Sequence, residues 1–456
     1  MAFLQTLPMW ETTLYLLLGL SSYATAILVY RLWLSPLSCF PGSPFAKATF
    51  LYEFYYDFIK PGLYYQKIQE MHQRYGPIIR VTPTELHVSD PAYYSSVFVP
   101  GNVGKSELDA GASNGTGFEG YIKRVRSHDE HRIVRAPIQQ FFSTSGVREL
   151  ETHVQSGIER LRDRLDEFKD TNVPVNLTYA LLSFAIDTVS TIICERPTNY
   201  LADPDFNGAW HKDALRPSTK VTIGDTQRGK AVKQQFGDDI YDLAGQLIQQ
   251  SAVFPLSLTV QTIVTHLSLD ARARGSLQIE LKEHLSNNPG PILARNLEKL
   301  RYLDACIKEG LRMSSGSLKR TNRIFPTISI QLGEWTIPRG TPIGMASHTL
   351  HMDPEVYPNP HAFIPERWLE EERKNTSVFG DGQHFVPFGR GSRDCIGRNL
   401  AHMIILRLLL EFYAPGAPEL ELFATDGSDV VPVHGYIISL PSYQSKGVRA
   451  LLHSAS

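Results

Sequence analysis

The chain has 456 residues, 42% of them hydrophobic and 20% charged, which is ample for a large buried core. A net charge of −2 gives no case for nucleic-acid binding. Four cysteines (Cys39, Cys194, Cys306 and Cys395), without CxxC spacing, argue against a disulfide framework or a zinc site and for a reducing compartment.

Residues 12–30 carry no charge and are long enough to span a hydrocarbon core. Arg31 follows at once and Trp33 sits at the expected interface, so the C-terminal side faces the cytosol. A basic leader and a small-residue cleavage site are not evident, which favours a retained anchor over a signal peptide. Pro36, Pro41, Gly42 and Pro44 then stop the helix and form a stiff linker. This divides the chain into an anchor (1–35), a Pro-rich linker and entry segment (36–63) and a catalytic body (64–456).

Within the body, 64–76 is helical up to Gly76-Pro77, and two short strands follow, Ile78–Val81 and Glu85–Val88. Residues 101–120 are rich in Gly, Asn and Ser and read as a mobile loop. His128 to Phe142 is helical, with His131, Arg132 and Arg135 close together. Helices are expected over 146–168 and 176–194, the second apolar nearly all round and so a core helix. No structure is assigned to 197–236. Helices resume over 237–268, with Pro255 inside, and over 270–286 and 297–313. Ile324–Gly340 reads as hairpin strands around Gly333, His361–Trp368 as an irregular connection, and Leu420–Leu452 as β-hairpins. The expected fold class is mainly α with minor β sheets.

Two constellations carry chemistry. Glu309 and Arg312 lie on one face of the 297–313 helix and can pair; their apolar flanks (Ala305, Cys306, Ile307, Leu311, Met313) argue for a buried site. Downstream, Phe388-x-x-Gly391-x-Arg393-x-Cys395-x-Gly397 reads as a tight glycine-rich loop that ends in a cysteine at the start of an apolar helix. Glycines there let the backbone approach a flat object closely. Arg393, Arg398 and the helix N-terminus favour thiolate over thiol at Cys395. A thiolate in that setting suits haem iron as an axial ligand, and its electron donation favours O–O cleavage.

That spacing resembles the haem-binding signature of the cytochrome P450 family. The runs His351-Met352-Asp353-Pro354 and Phe363-x-Pro365-Glu366-Arg367-Trp368 are similar to those of fungal P450s of secondary metabolism that resemble trichodiene oxygenase. The resemblance covers nearly the whole chain after the anchor. It implies the P450 fold behind an N-terminal transmembrane helix, with Cys395 as metal ligand and axial thiolate and with Phe388 shielding the sulfur. It also implies a structural triad of Glu309, Arg312 and Arg367, and propionate contacts from Arg393, Arg323, His131 and Arg135. His131 stands where the family more often has Trp. The implied partners are an NADPH-dependent P450 reductase, docking near Arg132, Arg390 and Arg398, a lipophilic terpenoid or polyketide-type substrate and the endoplasmic reticulum membrane. The implied reaction is monooxygenation with haem and O2.

Two departures from the family pattern bear on turnover. The distal helix normally carries an acid and an alcohol that deliver protons, whereas this chain has Ala252-Val253-Phe254-Pro255. Only 41 residues separate Trp210 from Ala252, so the lid region around 205–250 is shorter than family members have. An isomerase or dehydratase on the same fold, or a haem-binding relic, are the alternative readings.

Overall fold

The computed structural model describes residues 9–99, 105–109, 125–194, 197–214, 253–371, 373, 376–381, 383–435 and 438–455. It is mainly helical with small sheets. The apolar segment near the N-terminus forms helix α1 (Met9–Val29), which runs on in π geometry over Tyr30–Leu34. Trp10–Leu34 is long and apolar enough to cross a membrane, and none of it is buried against the body. Residues 36–63 are folded, not an extended linker. Leu37, Phe40 and Ala46 are buried, and two short helical pieces, Pro44–Ala48 and Leu51–Ile59, lie within the segment.

Helix α2 (Tyr64–Tyr75) buries Tyr64, Ile68 and Met71 and ends at Gly76, whose φ of 97° permits the turn into the first strand. Strands β1 (Ile78–Arg80) and β2 (Leu86–Val88) form the expected antiparallel pair. Part of the expected mobile loop is β3 (Glu107–Leu108), which pairs with a strand more than two hundred residues later; the rest of 101–120 lies outside the described residues. Helix α3 (His128–Phe141) follows, capped by Ser127. The expected 146–168 helix is two helices that meet at Leu150, a short one over Thr144–Glu149 and α4 (Glu151–Asp166). Strand β4 (Val175–Asn176) leads into α5 (Leu177–Cys194).

The centre of the body is α6 (Val253–Leu269). Nearly every side chain from Val253 to Thr265 is buried, as an apolar-all-round pattern requires. Residues 237–252 of the helix expected there lie outside the described residues. Helix α7 (Ala271–Asn287) is capped by Asp270, and α8 (Arg301–Ser314) is preceded by one separate turn at Ala294–Leu297, so the 297–313 helix starts later than its periodicity implied. Then come β5 (Thr321–Ile324), the hairpin β6 (Ile330–Leu332) and β7 (Trp335–Ile337), and β8 (Ile343–Met345). The His361–Trp368 connection ends in a 3-10 turn, Pro365–Trp368. Helix α9 (Arg398–Tyr413) is buried along most of its length.

The C-terminal strands are β9 (Glu419–Leu422), β10 (His434–Gly435), β11 (Ser439–Leu440) and β12 (Arg449–His453). Among the described residues of this stretch only β10–β11 is a local hairpin; β12 pairs with β9 and also with the distant β4. The larger sheet has the order β1-β2-β8-β5-β3.

Helices α6 and α8 approach closely because Gly310 has no side chain. A Cβ there would land on the Ile263 side chain. Gly310→Ala is therefore expected to lower stability by about 1–3 kcal/mol, the usual cost of overpacking a tight core. A denaturant midpoint unchanged from wild type would show that the interface can relax.

Candidate active site

The site is built on α8, the segment 351–368, the cysteine loop and α3. Glu309 and Arg312, fully buried on α8, pair as their i, i+3 spacing allows. Arg312 is bidentate: its Nε donates to Glu309 Oε2 at 2.9 Å and its Nη2 to Oε1 at 2.8 Å. Arg367 Nε joins at 3.1 Å from Oε1. The Ile364 N–H donates to Oε1 at 3.0 Å and the Trp368 indole to Oε2 at 2.9 Å. Burial alone would raise this carboxyl, but Arg312, Arg367 and the Ile364 N–H together hold it below its ordinary value. Trp368 is a carboxylate donor that the pattern of charged residues could not reveal, since indole reads simply as core.

The buried network reaches the cysteine loop through His351. Arg312 Nη1 donates to the His351 carbonyl at 2.9 Å, and the Val386 N–H donates to His351 Nε2 at 2.9 Å. Phe385 packs against both the His351 ring (5.4 Å between centroids) and Trp368 (4.7 Å). The segment entering the loop is thus tied to α8 by one imidazole that must stay neutral to accept.

Beyond Val386, Gly391 has φ +81°, and a Cβ there would collide with the Phe98 carbonyl, so both backbone and space require glycine. Gly397 is different: its φ is −84°, and a Cβ would meet nothing in the protein. Cys395 is exposed at the loop's end, with its N–H donated to the Phe388 carbonyl at 2.8 Å. Phe388 is only partly buried and meets Phe379 in a tilted ring contact, 5.9 Å between centroids.

Three side chains of the loop and the start of α9 fasten it to α3 and the residues flanking that helix. Arg393 Nη1 donates to the Val125 carbonyl at 2.6 Å, and its Nη2 to that of Arg126 at 2.7 Å. Asp394 takes Arg135 at 2.5 Å and Arg398 at 2.7 Å. Asn399 donates to the Phe142 carbonyl at 2.8 Å. Asp394 is the residue that sequence reasoning missed; its pairing with Arg135, one of the expected propionate contacts, clamps the loop to α3. Of the expected docking cations, Arg132 and Arg390 are exposed, whereas Arg398 is engaged with Asp394.

Cys395, His131, Arg135 and Gly391 line a cleft of about 480 Å³ between α3 and the loop, within the range of small-molecule and cofactor sites. The nearby cations are an unusual group. Arg323 is buried, lies 5.0 Å over the Phe98 ring, and is pushed down to about 10 by burial and then by Arg393. Burial also pushes Arg393 down to about 10, and its Nε is buried without a hydrogen-bond partner among the described residues. His131 is lowered to about 4 by burial first and then by Arg393, Arg135 and Arg323. The two guanidinium groups of Arg323 and Arg393, drawn out of water beside a His131 held neutral, need anions beside them. The two propionates of haem would supply such anions and the exposed Cys395 would supply a thiolate ligand, so the residues fit haem. When bound, haem brings the iron that activates dioxygen, and thiolate donation favours O–O cleavage.

On the distal side, Val253 and Phe254 are buried at the start of α6; neither side chain carries a proton-relaying atom. Residues 247–252 and the short lid segment 215–250 lie outside the described residues.

The neutral imidazoles set an acid limit. Burial lowers His351 to about 3 and His348 to about 4; for His351 the next cause is Arg312. An imidazole whose folded pKa lies below its unfolded value of about 6.5 binds its proton mainly when unfolded. Stability is then full above about pH 6.5 and falls as the pH drops toward those values, by up to about 1.4 kcal/mol per pH unit for each such ring. Urea midpoints at pH 7 and pH 5 should differ in that direction, and equal midpoints would contradict the neutral His351 acceptor.

The family model "Cytochrome P450" matches residues 252–412. Among curated proteins, cytochrome P450 monooxygenase oblB of Cochliobolus heterostrophus is 33% identical over 94% of this chain and 94% of its own length. Cytochrome P450 monooxygenase vrcB of Aspergillus aculeatus is 34% identical over 94% and 97%. Fusicoccadiene C-8 hydroxylase of Alternaria brassicicola is 30% identical over 96% and 95%. With a cysteine loop locked to a buried Glu-Arg-Arg network, a cation group suited to haem propionates and this coverage, the chain belongs to the cytochrome P450 family, as a monooxygenase that uses haem on a cysteine thiolate and electrons passed from NADPH through a reductase.

Proposed function

We propose that this monooxygenase oxidises a cyclic terpenoid hydrocarbon, with Cys395 as the haem ligand and with Arg393, Arg323 and His131 holding the propionates. The observation that carries the site assignment is the cleft lined by the exposed Cys395 together with His131 and Arg135, with the buried Arg323 and the partly buried Arg393 close enough to depress His131. The substrate class rests on relatives such as the fusicoccadiene C-8 hydroxylase. Trp10–Leu34 serves as a single-pass anchor in the endoplasmic reticulum, with the catalytic body in the cytosol, because Arg31 lies at its C-terminal end. Exposed Arg132 and Arg390 belong to the face that receives the reductase.

The alignment with oblB runs over 500 positions although the whole chain has 456 residues, so this chain lacks residues that the relative has, as a shortened lid requires. The test is titration of the purified holoprotein with diterpene hydrocarbons, followed by turnover with NADPH, reductase and isotopically labelled O2. The expected result is a substrate-dependent shift of the haem spectrum and one labelled oxygen atom in the product. Product formed without NADPH would instead favour an isomerase or dehydratase, the reading to which the apolar Val253-Phe254 pair points.

A further inference from the structure

His351 carries a buried donor that packing alone does not explain. It lies fully buried at the end of the short helix Ser347–His351, with Phe385 beside its ring. Because Nε2 accepts the Val386 N–H at 2.9 Å, the one proton of the neutral ring sits on Nδ1. That Nδ1 is buried without a hydrogen-bond partner among the described residues. An unpaired buried N–H is destabilising, and a hydrocarbon side chain would fill the space without one. What the imidazole supplies is a single acceptor.

That acceptor is directed at the last donor before the cysteine loop. Asp381 Oδ1 takes the N–H groups of Gln383, His384 and Phe385 at 2.8, 2.9 and 3.0 Å. His351 takes the next one, from Val386, and Pro387 has none to give. From Val386 the bonds continue to the cysteine. The Val386 carbonyl accepts the Gly389 N–H at 3.1 Å, and the Phe388 carbonyl accepts that of Cys395 at 2.8 Å. On its other side the His351 carbonyl is held by Arg312. His351 thus joins the buried Glu309 network to the turn that carries Cys395.

We infer that His351 is a positioning residue for the thiolate, and that its protonation is an acid-operated release of the cysteine loop. The inference rests on the reading of Cys395 as the haem ligand. A proton on Nε2 sets two N–H donors against each other, so the bond that fixes the entry to the loop is lost. Cys395 then takes a proton from solvent and becomes a neutral thiol, which is not the form that ligates a metal. No group around the ring offsets the added charge. Glu309 on α8 is matched by Arg312 and by Arg367 of the 3-10 turn, Asp381 is committed to backbone N–H groups, and His348 on the same short helix is itself held neutral by burial. Burial first, and then Arg312, keep the His351 ring neutral. In the opened loop the imidazole protonates near its ordinary value of about 6.5, so the closed loop is favoured above that pH and progressively lost below it.

The test compares the full-length holoprotein with its His351→Gln and His351→Leu variants. Glutamine offers an amide oxygen near the place of Nε2 and does not titrate; leucine fills the space without an acceptor. The thiolate-type carbon-monoxide band and the far-UV ellipticity are followed from neutral pH into the acid range. Hydrogen–deuterium exchange of the peptide 381–395 is measured at neutral pH. In the wild type the band is expected to disappear about one pH unit before the ellipticity falls, and in His351→Gln the two losses should coincide. In His351→Leu the peptide should exchange several-fold faster than in the wild type. Should His351→Leu fail to fold, the His351→Gln comparison decides alone. A gap between band and ellipticity that His351→Gln leaves unchanged, or wild-type exchange in His351→Leu, overturns the inference. Cys395→Ala separates the two readings: a thiolate-type band that survives there removes the ligand and the inference together, whereas a band lost there with the gap unchanged in His351→Gln removes only the role of His351.

Discussion

Cys395→Ala is expected to abolish the thiolate-type Soret band of the reduced carbon-monoxide complex and to reduce NADPH-dependent turnover to background. The loop geometry makes the prediction specific. Cys395 is exposed at the cleft, and its backbone is pinned by the bond to the Phe388 carbonyl. Removing the sulfur leaves Gly391, Arg393 and Asp394 in place, so the loop should persist while its ligand is lost. Cys39→Ser, at an exposed cysteine in the segment after α1, should leave the band unchanged. A thiolate-type band surviving in Cys395→Ala would remove the ligand assignment altogether.

Glu309→Gln should cost about 3–5 kcal/mol of stability, because it leaves two buried guanidinium groups without their counter-charge. Arg312 is fully buried and Arg367 nearly so, and both are directed at the same carboxylate. An amide can accept one of their hydrogen bonds but not balance the charge. The loss should appear as a lower denaturant midpoint and a lower haem content, since the Arg312–His351–Val386 contacts lead directly to the cysteine loop. Arg312→Lys should fall in the same direction, as an ammonium cannot reproduce the bidentate pairing. A change below about 1 kcal/mol would place the network among the weak ion pairs of a solvated surface.

What the sequence determined by itself is local chemistry. The glycine spacing before Cys395, the Glu309–Arg312 pair and the apolar α5 depend on neighbours within a few residues, where helical or loop geometry follows from residue type. The charge-free run before Arg31 is legible for the same reason.

Partners far apart in the chain were decided only by the tertiary structure. Arg135 meets Asp394, 259 positions away, and so is drawn to the loop; nothing in either local segment distinguishes this from a propionate contact. His351 and Trp368 read as ordinary core or motif residues until folding brings them to Val386 and Glu309. Strand β3 gains its identity from β5, and β12 from both β4 and β9. The 51–59 helix makes the point most directly. Its periodicity shows an amphipathic face, but which face meets the body depends on Arg320 reaching Glu53 from 267 residues away. Spacing encodes which side chains share a face, whereas the direction a face points is set by long-range packing and charge pairing that local sequence does not contain.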